Sequence, residues 1–134
     1  MYNKTDRRKY TRFNVPGAKV KYEQEEGFQG SKGFTGLGKM INLTIYAVKF
    51  ETQHKLTPGA KIQIRIMLDD NKTIPLIGNT LWVFSEKNDD SAYATVEFTA
   101  FSKEKGFNSI DSKQALEHLS EKYEPVASKV IFNY

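Results

Sequence analysis

Three arginines near the N-terminus carry side chains that suit a phosphorylated ligand. Arg7, Arg8 and Arg12 fall within six residues, and the last two are four residues apart. A guanidinium presents a planar fork of donors that matches two phosphate oxygens, and the same fork matches O6 and N7 of guanine. One arginine can therefore bind a phosphate while another contacts a guanine edge. Tyr10 and Phe13 are placed to add stacking beside the bases.

A second stretch, Asn42-Leu43-Thr44-Ile45-Tyr46-Ala47, has the pattern Asn-x-hydroxyl-x-x-small. The Asn42 amide and the Thr44 hydroxyl can each donate and accept hydrogen bonds, so both can serve a polar ligand. Both stretches precede most of the predicted strands, and together they form the candidate binding site.

The charge of the chain is concentrated at its N-terminal end. The formal net charge is +4, but residues 1–22 hold seven cations against Asp6 alone, which gives +6 and leaves −2 for the rest. A basic arm of this kind attracts phosphates, whether they belong to a nucleotide, a nucleic acid or a membrane. The alternative interpretation is a solvated basic tail without a ligand.

The sequence shows no pattern typical of an enzyme or a metal site. There is no cysteine, and His54 and His118 are far apart without clustered carboxylates, so we expect both histidines on the solvated surface. Two Asp-Asp pairs lie in predicted turns, where aspartate is common. No serine stands in a nucleophile-elbow context, and no glycine run has phosphate-loop spacing. We expect Trp82 in the core and the glycines of residues 27–38 in a flexible loop.

Alternating apolar and polar residues predict a β-rich body ahead of one helix. Strands are predicted at 18–22, 37–43, 48–50, 62–68, 73–84 and 93–98. Gly78 is expected to mark a bulge in the longest of them. Near the C-terminus, Asp111 is the expected helix cap, Leu116, Leu119 and Tyr123 share one helical face, and Pro125 stops the helix. Short strands separated by turns indicate a small barrel or sandwich.

These motifs together resemble the PilZ family, whose members bind the bacterial second messenger cyclic di-GMP. Arg8 and Arg12 match its Arg-x-x-x-Arg motif, with Arg7 adjacent. Asn42, Thr44 and Ala47 stand at the Asp/Asn, Ser and Gly of its second motif. The similarity continues through Leu56-Thr57-Pro58-Gly59, Gly78-Asn79-Thr80-Leu81-Trp82 and Ala94-Thr95-Val96-Glu97-Phe98, and so covers roughly residues 7–100.

The resemblance implies an all-β fold, a small six- to seven-stranded antiparallel β-barrel with a C-terminal α-helix. Residues 1–14 would be the basic arm, 15–100 the barrel, and 101–134 the helix and a tail that packs on the barrel. Cyclic di-GMP would be the ligand, bound by Arg7, Arg8, Arg12, Asn42, Thr44 and Ala47, with no metal and no other cofactor. Binding would fold the mobile arm over the barrel and change a surface offered to a downstream protein partner.

Two departures from the family pattern bear on affinity. Thr44 keeps the hydroxyl and adds a methyl group. If the family's glycine has a positive φ, Ala47 costs about 1 kcal/mol at that position, and its Cβ could obstruct a guanine. With both arginines present, we expect binding, and we expect Arg8→Ala and Arg12→Ala each to abolish measurable binding while leaving the fold intact.

Two other functions remain open at this point. The first is a PilZ-like interaction domain that no longer binds cyclic di-GMP and acts through protein contacts. The second, less favoured, is a small barrel that binds nucleic acid through its basic arm. The absence of an apolar run long enough to span a bilayer, of an apolar leader segment and of cysteine suits a cytoplasmic, non-enzymatic protein.

Overall fold

In a computed structural model, which describes residues 12–30, 32–85 and 92–123, the chain forms a closed antiparallel β-barrel followed by one helix. Its strands are β1 (Lys19–Gln24), β2 (Phe34–Leu43), β3 (Ala47–Thr52), β4 (Lys61–Met67), β5 (Thr73–Phe84) and β6 (Ala92–Phe98). Helix α1 spans Ile110–Lys122, and a 3-10 turn covers Phe28–Gly30. The strand order is β1-β2-β3-β6-β5-β4, with β4 closing onto β1. The prediction of an all-β barrel with a C-terminal helix is confirmed.

Alternation along the strands, interrupted at bulges in β2 and β5, separates the core from the surface. In β4 the three isoleucines are buried, while Lys61, Gln63 and Arg65, each of which directly precedes an isoleucine, are exposed. β1 alternates in the same way and buries Val20 and Tyr22. Because successive side chains of a strand point to opposite faces, one face of every strand fills the barrel and the other forms its outer surface.

Glycine has a packing role in β2, where loop flexibility was expected. Gly36 and Gly38 both lie within β2. A Cβ on Gly38 would collide with the carbonyl oxygen of Glu51 on the adjacent strand β3. Only glycine lets the two backbones approach this closely, so the glycines at this end of the 27–38 segment are part of the sheet.

The longest strand contains its bulge three residues later than predicted. Gly78 is regularly paired with Ile62 and Phe98, and the register instead shifts between Thr80 and Trp82. A bulge adds one residue to a strand, so two successive side chains leave the barrel on the same side. Leu81 and Trp82 are both exposed as a result, and the expectation that Trp82 belongs to the core is wrong, since the side chain is 70% exposed.

Helix α1 is capped and anchored by polar side chains that precede its apolar face. Ser109 is the N-cap and accepts a 3.1 Å hydrogen bond from the backbone N–H of Ser112, whereas the expected cap, Asp111, lies in the first turn. Leu116 and Leu119 are buried against the barrel, as predicted from their spacing. The helix ends at Lys122, and Pro125 lies outside the described residues.

Buried Asn108 fixes the start of this helix to the end of the barrel. Its side-chain amide donates to the carbonyl oxygens of Ile77 (2.9 Å) and Thr99 (2.7 Å), and its carbonyl oxygen accepts from the N–H of Ile77 (2.7 Å). One side chain therefore satisfies three backbone groups of β5 and of the segment after β6.

Among the described residues, no helix is long and apolar enough to cross a bilayer.

Candidate functional site

The N-terminal segment reaches the candidate site through a short backbone bridge to β2. The N–H of Phe13 donates to the carbonyl oxygen of Leu43 (2.8 Å), and the N–H of Leu43 donates to that of Phe13 (2.9 Å). Phe13 is 1% exposed and belongs to the core. The expectation that Phe13 stacks beside a base is therefore wrong. The bridge places the exposed Arg12 beside the β2–β3 turn. Arg7 and Arg8 lie outside the described residues, as does Tyr10.

The hydroxyl of Thr44 organises that turn from within. Its oxygen accepts hydrogen bonds from the backbone N–H groups of Tyr46 and Ala47, each at 2.9 Å. The N–H of Thr44 in turn donates to the carbonyl oxygen of Ala47 at 2.8 Å. Thr44 is 7% exposed, so its hydroxyl faces the turn and is already occupied by two donors. The predicted site residue Thr44 thus shapes the turn that a ligand would meet.

Ala47 begins β3 in an ordinary strand conformation. Among the described non-glycine residues, only Gln29 and Asn71 have a positive φ, at 48° and 67°. The condition under which alanine would strain the backbone at position 47 is therefore not met. The remaining consequence of the substitution is steric, because the half-buried Cβ occupies space at the mouth of the turn.

Asn42 begins a row of outward-facing side chains that crosses four strands. Backbone pairing joins Asn42 of β2 to Lys49 of β3, Lys49 to Thr95 of β6, and Thr95 to Trp82 of β5. Side chains at paired positions share one face of a sheet. With neighbouring strands about 4.8 Å apart, this outer row (Asn42, Lys49, Thr95 and Trp82) spans about 14 Å. It presents an amide, a cation, a hydroxyl and an indole in sequence.

A second set of aromatic side chains lies next to the outer row. Phe84 of β5 pairs with Tyr93 of β6, and Phe84 is 61% exposed. The Nζ atom of Lys49 lies 5.8 Å from the centre of the Tyr93 ring, within the range of a cation–π contact. The outer face of β3, β6 and β5 therefore combines the cation of Lys49 with exposed aromatic surface, and it also carries the carboxylates of Glu51 and Glu97.

Lys49 and Thr95 were not recognised as site residues from the sequence, and Trp82 was expected in the core. Alternation in the 48–50 strand does place Lys49 outward, so that signal was available. The pairing register that aligns Lys49 with Asn42 and Trp82 depends on the bulges at Ile41 and Leu81. Neither bulge has a glycine at the unpaired residue, so the sequence did not indicate the bulges or the pairing that forms the outer row.

The histidines differ from each other in their surroundings. His118 is exposed as expected, but His54 is half-buried and stacks on Phe34 with ring centroids 4.8 Å apart. Its Nδ1 lies 2.9 Å from the hydroxyl of buried Tyr22, which also accepts from the N–H of Gln53 at 3.2 Å. Burial raises the pKa of Tyr22, and the hydrogen bond from Gln53 opposes that effect.

The Tyr22–His54 cluster is a structural feature of the barrel and carries no metal-ligand set. The described residues contain no group of three or more His, Asp, Glu or Cys side chains placed to hold a metal ion. The candidate binding site therefore consists of Arg12, the β2–β3 turn and the outer row.

Comparisons with known proteins bear on the fold. No family model matches the chain, and no curated protein matches it. Among solved structures, it is similar to the inhibitor of motility (MotI/DgrA) of Bacillus subtilis, with a TM-score of 0.58 and 13% identity. The match covers 91% of this chain and 51% of the other, so this chain spans about half the length of that neighbour. That neighbour is a PilZ-domain protein, and the likeness supports a PilZ-like β-barrel fold for this chain.

Proposed function

We propose that this chain is a cyclic di-GMP-binding PilZ-like module, in which the N-terminal arginine arm and the outer row hold the nucleotide between them. The observation that carries the proposal is the backbone bridge between Phe13 and Leu43. It attaches the arm at the end of the strand that carries Asn42. Arg12, the described residue of the arginine motif, thereby lies at the same end of the barrel as Asn42 and Thr44.

Each part of the site has a separate task in this proposal. Arg12, with Arg7 and Arg8 of the arm, binds phosphate oxygens or a guanine edge through bidentate hydrogen bonds. Asn42 offers an amide to the base, and Lys49 supplies a cation fixed by the sheet. Thr44 holds the shape of the turn through its two backbone hydrogen bonds.

The length of the outer row suits a ligand with two bases. Three strand spacings separate Asn42 from Trp82, about 14 Å, which is enough for a phosphate near Lys49 and a purine on the indole. Base stacking on an aromatic side chain contributes about 1–3 kcal/mol. Trp82 is exposed in the described structure, so it needs no rearrangement to accept a base.

The proposed mechanism is a ligand-dependent change of surface. Phosphates recruit the arm onto the barrel, and the folded arm together with the bound nucleotide covers part of the outer face of β3, β6 and β5. A downstream protein would distinguish the two states by the area that is covered. No bond is made or broken in this mechanism, in keeping with a non-enzymatic module.

A second candidate function is protein interaction without nucleotide. It is favoured by the exposure of Trp82 and Phe84, since large aromatic side chains dominate the energetics of many protein interfaces. The Thr44 hydroxyl accepts from two N–H groups of its own turn and donates to the carbonyl oxygen of Ala47 at 3.4 Å, so the turn already uses the hydrogen bonds that the sequence motif suggested for a ligand.

Calorimetric titration with cyclic di-GMP distinguishes the two candidates. Loss of one charged hydrogen-bonding partner costs about 1.5–3 kcal/mol, so Arg12→Ala is expected to weaken binding about 10- to 150-fold. Arg65→Ala is the matched control, because it removes an exposed arginine from the outer face of β4, away from the site. Absence of heat with the unaltered protein would favour the interaction domain, and equal affinity in both variants would refute the role of Arg12.

A further inference from the structure

Four cations form a cluster on the side of the barrel opposite the candidate nucleotide site. Lys19 of β1 is paired with Lys39 of β2, and Lys21 of β1 is paired with Arg65 of β4. All four side chains are exposed. Lys19 and Lys21 are two residues apart on one strand, so the four positions occupy adjacent points of one sheet. This set (Lys19, Lys21, Lys39 and Arg65) is the basic face.

The arrangement of the basic face opposes the stability of the barrel. Like charges at directly paired positions of an antiparallel sheet repel one another. Among the described residues, the only ion pair joins Lys72 to Asp70 at 3.8 Å, so no carboxylate neutralises the four cations by a direct contact. Glu23, one step further along β1, is the nearest acidic position on that strand. A cluster kept against this repulsion is suited to an anionic partner.

The basic face is separate from the nucleotide site. In the ring β1-β2-β3-β6-β5-β4, strand β1 lies opposite β6. The outer row runs from Asn42 on β2 over β3 and β6 to Trp82 on β5, whereas the basic face is centred on β1 and shares only β2 with the row, where Lys39 lies three residues from Asn42. A partner on the basic face therefore leaves Lys49, Thr95 and Trp82 accessible, and the inference does not depend on the proposed function.

Apolar side chains complete the basic face and indicate the class of partner. Leu37 pairs with Lys21 and is 44% exposed, and Met67 pairs with Lys19 and is 37% exposed. A groove of about 470 Å³ borders the face, and its lining includes Lys21, Arg65 and the exposed Phe107, together with the carboxylate of Glu23. Two cations and one carboxylate thus line the groove, and exposed aliphatic side chains lie beside the cations of the basic face.

This composition fits a bilayer surface better than a protein or a nucleic acid. Protein interfaces are depleted in lysine, which supplies three of the four cations here. Single-stranded nucleic acids bind platforms with several exposed aromatic rings. Beside these cations the exposed apolar residues are Leu37 and Met67, and of the two aromatic residues that line the groove, Phe107 is exposed and Tyr22 is buried. Lysine with exposed aliphatic neighbours suits lipid headgroups, because the ammonium stays hydrated near phosphates while the apolar groups contact the interface.

We propose that the basic face docks the protein onto the surface of an anionic bilayer, with the outer row turned away from the membrane. Each cation near such a surface is expected to strengthen partitioning about 5-fold, so removing two lowers it about 30-fold. The groove beside Lys21 and Arg65 is the place for a lipid headgroup. Docking on this side leaves the opposite face free for nucleotide and for a protein partner.

Sedimentation with vesicles tests the docking surface. The full chain is mixed with vesicles of phosphatidylcholine and phosphatidylserine in about a 2:1 ratio, and with phosphatidylcholine alone, at physiological ionic strength. We expect partitioning to the anionic vesicles only, and about a 30-fold loss in the double variant K21Q/R65Q. This variant removes a like-charge pair from exposed positions, so its unfolding temperature is expected to equal or exceed that of the unaltered protein.

Two double variants with the same change of charge provide the controls. K103Q/K105Q alters exposed lysines ahead of the helix, and R7Q/R8Q alters the arm. Equal losses in K103Q/K105Q and K21Q/R65Q would show that only net charge matters and would overturn the proposal. It would also be overturned if R7Q/R8Q abolished partitioning while K21Q/R65Q left it unchanged. Binding of an oligonucleotide through Lys21 and Arg65, without vesicle binding, would identify a nucleic-acid surface instead.

Discussion

Replacing Thr44 with valine tests whether its hydroxyl holds the β2–β3 turn. Valine keeps the shape of threonine but removes the oxygen that accepts from the N–H groups of Tyr46 and Ala47, each at 2.9 Å. A net hydrogen bond contributes about 0.5–1.5 kcal/mol, and a buried donor left without a partner costs about 1–3 kcal/mol. Because both donor residues are half-buried, water can satisfy part of the loss, and we expect about 2 kcal/mol of destabilisation.

The expected loss is measurable by thermal unfolding followed by far-ultraviolet circular dichroism. For a domain of this size, about 2 kcal/mol corresponds to a decrease of roughly 7 °C in Tm. Thr44→Ser keeps the hydroxyl and is the matched control, with a Tm close to that of the unaltered protein. An unchanged Tm in Thr44→Val would show that the turn does not depend on the hydroxyl, and that the hydroxyl is available to hydrogen-bond a ligand.

Three further perturbations test other parts of the structure. The emission maximum of Trp82, the single tryptophan, should lie close to that of tryptophan in water and shift little on unfolding. A strongly blue-shifted maximum in the folded protein would show that the indole is buried in the core. The folded-state pKa of Tyr22 is raised, so this group contributes stability that is present below the unfolded pKa of 10.0 and lost as pH rises above it. In urea titrations above pH 10.0, the free energy of unfolding should therefore fall more steeply with pH for the unaltered protein than for Tyr22→Phe. Gly38→Ala forces a Cβ against the carbonyl oxygen of Glu51 and is expected to lower the free energy of unfolding by about 1–3 kcal/mol or more. Gly33→Ala is the control: a Cβ at that position would lie 3.4 Å from its nearest neighbouring atom, so the urea midpoint should change much less.

Local periodicity was enough to predict most strands and the fold class. The isoleucines of β4 alternate with polar residues, and that period belongs to a half-buried strand whatever surrounds it. The helix was likewise predicted from the spacing of Leu116 and Leu119. These features depend on residues close in sequence, so the sequence alone contains the information.

The composition of the outer face depends on contacts between distant residues, and the sequence did not reveal it. The bulge at Leu81 reverses the facing of Trp82, and its cause lies in the pairing of β5 with β6. The burial of Phe13 depends on a bridge to Leu43, thirty residues away in the chain. His54 looked like a surface residue because its contacts with Tyr22 and Phe34 join separate strands to a loop.

The most direct test of the central claim follows Trp82 fluorescence during titration with cyclic di-GMP. The ligand should change the emission of the unaltered protein, because a base stacks on the exposed indole at one end of the outer row. In Arg12→Ala the same change should require about 10- to 150-fold more ligand, because the arm lies at the other end of the same site. Emission that does not respond to saturating nucleotide, or identical midpoints in the two proteins, would contradict a ligand held jointly by the arm and the outer row.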